Sequence, residues 1–314
     1  MIPEKTQGNM QMKTIFVETL CDLACDDDSI WLITGDLGYN ALEKFSNHFP
    51  NRFLNVGVAE QNMVGVASGL ARSGKTVFVY SIVNFATFRC LEQIRNDVCY
   101  HRANVKIVGT GGGYMYGSLG YSHHGIEDIA IMRPLPGMTI IAPCDNDQVR
   151  SATRAIAEMP GPCYLRLGRI PKSLIGTVDI GPSPFGIGKA TLIRKGMHVG
   201  IFCTGSVLDW VIPEVSILKR DHAIEAEVWC FHTVKPLDTA TILDVAHRLG
   251  RVVTVEEHSI IGGLGSAVAE VLAESDEPCR FARFGAPDAL NVGVYSREGL
   301  VRNLGELAET VRLL

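Results

Sequence analysis

Short runs of β-branched and aromatic residues alternate with amphipathic stretches, and that alternation restricts the fold of this chain more than any other feature. Trp31-Leu32-Ile33-Thr34, Phe53-Leu54-Asn55-Val56, Val77-Phe78-Val79-Tyr80, Val105-Lys106-Ile107-Val108 and Thr139-Ile140-Ile141-Ala142 read as strands. Helical periodicity fills the intervals at 12–25, about 59–73, 84–99 and 145–158. Neighbouring parallel strands need a long crossover, which a helix supplies. The pattern therefore predicts an α/β fold: a mainly parallel sheet with helices on both faces.

The alternation dissolves around 170–188, where Ile180-Gly181-Pro182-Ser183-Pro184-Phe185-Gly186-Ile187-Gly188 is rich in breakers. A second series follows, with strands at 199–202, 226–229 and 251–255 and helices near 206–219, 239–248 and 263–275. Two α/β domains are expected, at 1–182 and 183–314. The 46% apolar and 20% charged composition suits two packed cores. A net charge of −5 gives no basic footprint, so nucleic acid is not an expected partner. No apolar run reaches the roughly eighteen residues of a membrane span. Met1-Ile2-Pro3-Glu4-Lys5 does not open a signal peptide, and the nine cysteines form no CxxC pair. Reduced thiols in the cytoplasm are the expectation.

Three segments carry candidate chemistry. In Asn55-Val56-Gly57-Val58-Ala59-Glu60-Gln61-Asn62-Met63 a strand ends, a glycine turns, and a helix starts with an acid in its first turn. Glu60 there either complements the helix dipole or serves a site. In Asn84-Phe85-Ala86-Thr87-Phe88-Arg89 two aromatics three apart share a helical face, as a core stripe or as a stacking platform. In Gly111-Gly112-Gly113-Tyr114-Met115-Tyr116-Gly117-Ser118-Leu119-Gly120-Tyr121-Ser122-His123-His124 a glycine-rich loop follows a strand, where α/β proteins gather ligands.

Taken together, these segments resemble the transketolase superfamily of thiamine-diphosphate enzymes. NVGVAEQNMVGVASGLA is similar to the pyrimidine-binding motif shared by transketolases, deoxyxylulose-phosphate synthases and the beta chains of 2-oxoacid dehydrogenases. The resemblance implies that Glu60 bonds N1′ of the cofactor's aminopyrimidine. Proton sharing there would favour the imino tautomer that activates the cofactor. It places Phe85 and Phe88 on the aromatic positions that stack on the pyrimidine. His123 falls on the active-site histidine that contacts the donor carbonyl, an imidazole's task near neutral pH. His124 reads as loop surface. Arg169, in Tyr164-Leu165-Arg166-Leu167-Gly168-Arg169, matches a phosphate-binding arginine, with Arg166 in reserve.

The chain also departs from the pattern. Leu119 stands where the family has a hydroxyl-binding aspartate, and Gly111-Gly112-Gly113 replaces an upstream histidine, so common pentose phosphates are not the expected substrates. No Asn-Asn pair follows Gly35-Asp36-Leu37-Gly38. The resemblance thus implies a separate partner chain, carrying G-D-G and N-N, that binds Mg²⁺ and the diphosphate. A dimer of this chain, and two copies of each chain in all, would follow. Thr233-Val234-Lys235-Pro236-Leu237-Asp238 and Val255-Glu256-Glu257-His258-Ser259-Ile260-Ile261-Gly262-Gly263-Leu264-Gly265-Ser266 resemble the transketolase C-terminal domain. Its glycine turn is read as packing and dimer contact, and Glu92-Gln93-Ile94-Arg95 as helix surface and subunit contact. The expected activity is transfer of a two-carbon ketol unit from a ketose to an aldehyde. The alternatives are a 2-oxoacid dehydrogenase beta chain and a deoxyxylulose-phosphate-synthase-like ligase.

Overall fold

A computed structural model describes residues 12–169, 185–290, 295–302 and 304–314. In chain order the first elements are α1 (Met12–Asp26), β1 (Ile30–Thr34), α2 (Glu43–His48), β2 (Phe53–Asn55), α3 (Glu60–Arg72), β3 (Thr76–Ile82), α4 (Val83–Thr87) and α5 (Leu91–Gln93). Then come a π-helical turn (Ile94–Cys99), β4 (Val105–Thr110), α6 (Asp128–Met132), β5 (Thr139–Ile141), α7 (Asn146–Glu158) and β6 (Cys163–Leu167). After the gap follow β7 (Thr191–Arg194), β8 (Val199–Thr204), α8 (Leu208–His222), β9 (Ala226–Cys230), β10 (Thr233–Lys235) and α9 (Thr239–Leu249). The chain ends with β11 (Arg251–Ser259), α10 (Leu264–Ala273), β12 (Arg280–Ala286), α11 (Arg297–Arg302) and α12 (Leu307–Arg312).

Among the described residues the strands form a seven-stranded sheet, β10-β5-β6-β4-β3-β1-β2, and a five-stranded sheet, β12-β11-β8-β9-β7. Each is parallel except at one edge, where β10 runs against β5 and β7 against β9. Central strands β3, β4 and β6 are buried along their whole length, as strands covered on both faces must be. Successive side chains point to opposite faces. Phe78 and Tyr80 accordingly join α1, α2 and α7 in one core layer, whereas Val77 and Val79 join α3, α6 and the π-helical turn in the other.

Local chemistry marks several element ends. The Asp145 side chain caps α7 by accepting from the Gln148 amide, and Asp238 caps α9. Lys106, inside an otherwise apolar strand, reaches the far end of α7. It donates to the carbonyls of Met159, the C-cap residue of α7, and of Gly161 in the turn beyond it. Burial lowers its pKa to about 8.

Two expectations need correction. The helix expected over 84–99 is instead α4, α5 and a π-helical turn in succession. Tyr164 to Leu167, read only as part of a phosphate-binding segment, lies in β6, a strand in the middle of the larger sheet. The start of the expected linker, 180–184, lies outside the described residues.

Candidate active site

The site lies beyond the carboxyl ends of β1, β3 and β4, the place where open parallel sheets bind ligands. After β2 the chain turns at Gly57 and enters α3 with Glu60 in the first turn. Glu60 is only 1% exposed. A side chain at Gly35, just past β1, would come within 3.1 Å of Glu60 Cγ, so the glycine leaves room for the acid. The Ser81 hydroxyl, at the end of β3, faces Glu60 Oε1 at 3.4 Å. Arg89 Nη1 donates to Oε2 at 2.5 Å. The Arg89 guanidinium also lies over the Phe85 ring, 4.7 Å from its centroid. Phe85, half-buried in α4, meets the His123 ring edge-on at 5.5 Å. Glu60, Arg89, Phe85 and His123 thus form one continuous line of contacts.

His123 ends a 3₁₀ turn, Tyr121–His123, in the loop after β4. The loop is closed by reciprocal backbone bonds between Gly113 and Gly125, at 2.7 and 2.8 Å. Asn84, at the start of α4, donates through Nδ2 to the carbonyls of Ser122 (3.1 Å) and His124 (3.0 Å), the two residues flanking His123. Its Oδ1 is buried without a partner. The Ser122 hydroxyl bonds His123 Nδ1 at 3.0 Å. His124 is buried rather than surface: Nε2 contacts the Gly117 carbonyl at 3.2 Å and the ring abuts Tyr114.

Below this loop lies a buried ionic junction between the two sheets. Arg166 in β6 binds Asp128 through Nε at 2.7 Å and donates through Nη2 to the Gly125 and Glu257 carbonyls. Tyr164 donates its hydroxyl to the same Asp128 oxygen. Glu257 in β11 accepts the Tyr114 amide at 2.7 Å and pairs with Arg297, which also pairs with Asp209. A side chain at Gly113 (φ +70°) would collide with the Glu257 carboxyl at 2.6 Å. These contacts fix both ends of the loop that presents His123.

The structure therefore joins Glu60, Phe85 and His123 in one chain of contacts that runs through Arg89. Phe88 is exposed, just past the end of α4. Leu119 is 56% exposed, in the 3₁₀ turn before that of His123. Arg169 is exposed two residues past β6. Arg166, the reserve phosphate ligand, is buried and committed to Asp128, which removes it from that role. The glycine turn before α10 is occupied internally, since the Glu256 carboxylate accepts the Leu264 and Gly265 amides, each at 2.7 Å. Sequence reading missed Asn84, Arg89, Asp128 and Glu257. The one local signal was a charged residue, Arg89, directly after the aromatic pair.

Comparison with known proteins places this geometry in a family. Residues 8–173 match the transketolase pyrimidine-binding domain, and residues 188–310 the transketolase C-terminal domain. An apulose-4-phosphate transketolase subunit of Phocaeicola vulgatus is 38% identical over 274 residues, covering 87% of this chain and 86% of that one. The 6-deoxy-6-sulfo-D-fructose transketolase subunit SqwH of a Clostridium species is 40% identical over 278 residues, covering 88% and 85%. A solved split-gene transketolase, an inactive beta4 tetramer, superposes with a TM-score of 0.82 at 35% identity, covering 97% and 96%. This chain belongs to the transketolase family, as a subunit of the split-transketolase type with a pyrimidine-binding and a C-terminal domain.

Proposed function

We propose that this chain works with a partner subunit to move a two-carbon ketol unit from a ketose donor to an aldehyde acceptor, using thiamine diphosphate. One observation carries the reading: a buried carboxylate, an aromatic ring and a half-exposed imidazole follow one another at the ends of parallel strands. These residues suit the aminopyrimidine half of the cofactor. Glu60 would hold ring nitrogen N1′ with its carboxyl group, and Phe85 and Phe88 would contact the ring faces. When bound, the cofactor supplies the electron sink needed to break a carbon–carbon bond beside a carbonyl. Ser122 engages His123 Nδ1, so Nε2 is the nitrogen through which His123 exchanges a proton with the donor oxygen. Asn84 keeps that imidazole in place through the two carbonyls on either side of it.

The diphosphate and Mg²⁺ fall to the partner in this reading, with the domains divided at 182/183 and two copies of each chain. Mg²⁺ takes oxygen ligands in an octahedral array. Among the described residues no three His, Cys, Asp or Glu side chains gather to hold a metal ion. Relatives named as transketolase subunits support a second chain. All nine cysteines are free thiols, which suits a reducing cytoplasm. Leu119 offers no hydrogen bond to a sugar hydroxyl, and Arg169 is the exposed cation for a substrate phosphate. The two named relatives act on apulose 4-phosphate and 6-deoxy-6-sulfofructose. We infer an unusual ketose, outside the common pentose phosphates, for this chain.

Glu60→Gln and His123→Ala in the reconstituted two-chain enzyme test the assignment. Each should lower turnover by about 10²–10⁴ while the fold is kept, the scale of a lost acid–base group. Near-normal ketol transfer by either variant sinks the role given to that residue. Calorimetric titration with thiamine diphosphate and Mg²⁺ tests the partner: tight binding by this chain alone refutes a shared site.

A further inference from the structure

The Arg89 guanidinium makes the two contacts that an aminopyrimidine ring would make. Both groups are flat frames built on an N–C–N unit with N–H donors at the edge. The guanidinium lies over Phe85, 4.7 Å from the ring centroid, and donates to Glu60 Oε2 at 2.5 Å. A ring stacked on that face and bonded to that oxygen cannot share the space with Arg89.

Of the described partners of Glu60, Arg89 is the half-exposed one and Ser81 the buried one. Glu60 and Ser81 are buried, with side chains held by α3 and β3. The side chain of Arg89 is 44% exposed, against 1% for Glu60. A buried carboxylate without a partner is costly, so the pocket needs an occupant before the cofactor arrives. A half-exposed arginine suits this, because its charge regains water on leaving.

We propose that Arg89 is a placeholder for the cofactor's aminopyrimidine. It keeps Glu60 and Phe85 in their working positions in the cofactor-free chain and is displaced when the ring enters. The idea rests on the role given to Glu60 above. It makes ring entry an exchange of one partner for another, so the pyrimidine alone gains little. Net affinity then depends on contacts to the diphosphate, and loading is tied to the partner subunit.

Arg89→Met keeps much of the apolar stem and removes the guanidinium. The test reads two quantities of opposite sign. The unfolding midpoint of the chain alone should fall by several degrees, because the buried Glu60 loses its charged partner. The affinity of the two-chain enzyme for thiamine diphosphate with Mg²⁺, measured by calorimetry, should rise about three- to tenfold, because nothing need be displaced. An arginine that only supports the fold would lower both, and one that binds the cofactor would lower the affinity. Unchanged or weaker cofactor binding by Arg89→Met therefore overturns the placeholder. Glu60→Gln separates the two ideas. If it binds cofactor and turns over normally, the reading of Glu60 fails. If it is impaired while Arg89→Met binds more weakly, the placeholder alone fails.

Discussion

Two ionic clusters lie close together here and obey different physics. In the junction beneath the His123 loop, both members of each pair are buried: Arg166 and Asp128 at 2% and 0% exposure, Arg297 and Glu257 at 6% and 1%. At the candidate site one member is buried and the other is 44% exposed. Separating a pair inside protein strands a charge, whereas a half-exposed guanidinium exchanges its partner for water. The junction is thus a fixed frame, and the Glu60–Arg89 pair is an arrangement that can change. The fold keeps the rigid ion pairs behind the site and the exchangeable one in it.

Breaking the frame should give the largest effect. Arg166→Met strands Asp128, and we expect a loss of about 3–5 kcal/mol in denaturant unfolding. Adding Asp128→Leu should restore most of it, since replacing both partners with apolar groups is often neutral. A single variant that costs less than about 1 kcal/mol would show that the junction is not a unit.

The second expectation concerns acid, at the same junction. His258 Nε2 accepts the Ala130 amide and its Nδ1 faces the Ser259 carbonyl, so the ring is held neutral. Burial lowers its pKa from 6.5 to about 4. The unfolded chain therefore binds the proton first, and this contribution to stability is lost as pH falls from 6.5 towards 4. Burial raises Glu256 from 4.5 to about 7, so its contribution is present below pH 4.5 and lost as pH rises through 7. The two oppose each other over nearly the same range. His258→Asn removes one of them, and its stability relative to the parent should improve by on the order of 2–3 kcal/mol from pH 6.5 to 4. A pH-independent difference between the two proteins would contradict a neutral buried His258.

Asn84 tests how the frame reaches the site. Asn84→Ala removes two hydrogen bonds, together about 1–3 kcal/mol. Turnover should fall by about tenfold or more, with cofactor affinity little changed, since the clamp acts on His123 rather than on Glu60. Asn84→Asp should do no better, because a carboxylate cannot donate to the two carbonyls. Faster acylation of His123 by an imidazole-directed reagent would report the loosened loop. Equal losses in turnover and cofactor affinity would refute a positioning role. The smallest effect belongs to a surface pair. Arg133 and Glu270 are 18% and 61% exposed, and Glu270→Ala should cost at most about 1 kcal/mol, less in high salt.

The parts of this organisation that could be read in advance share a cause. Strands β3 and β4 and helices α3 and α7 follow local periodicity, which each segment carries by itself. Glu60 was legible because a strand, a glycine turn and a helix start occur together. By contrast, β12 reads Arg-Phe-Ala-Arg-Phe-Gly-Ala and gains its strand identity from pairing with β11. The α4 to π-helix stretch reads as one helix because its apolar spacing is helical throughout. Arg166 stood as a reserve ligand because its segment resembles the family's phosphate-binding stretch, and nothing near it in sequence announces Asp128, 38 residues away.

The sequence alone determined two α/β layers, the acid at the start of α3, and the glycine loop that ends in His123. Each depends on neighbours within a few residues, where propensity and periodicity act. Only the tertiary structure decided which charges are buried together and which can move. Arg89 and Glu60 stand 29 residues apart, and Glu257 meets Tyr114 across 143. Whether such a charge is a fixed support or an exchangeable partner depends on its exposure, and exposure is set by every element packed around it.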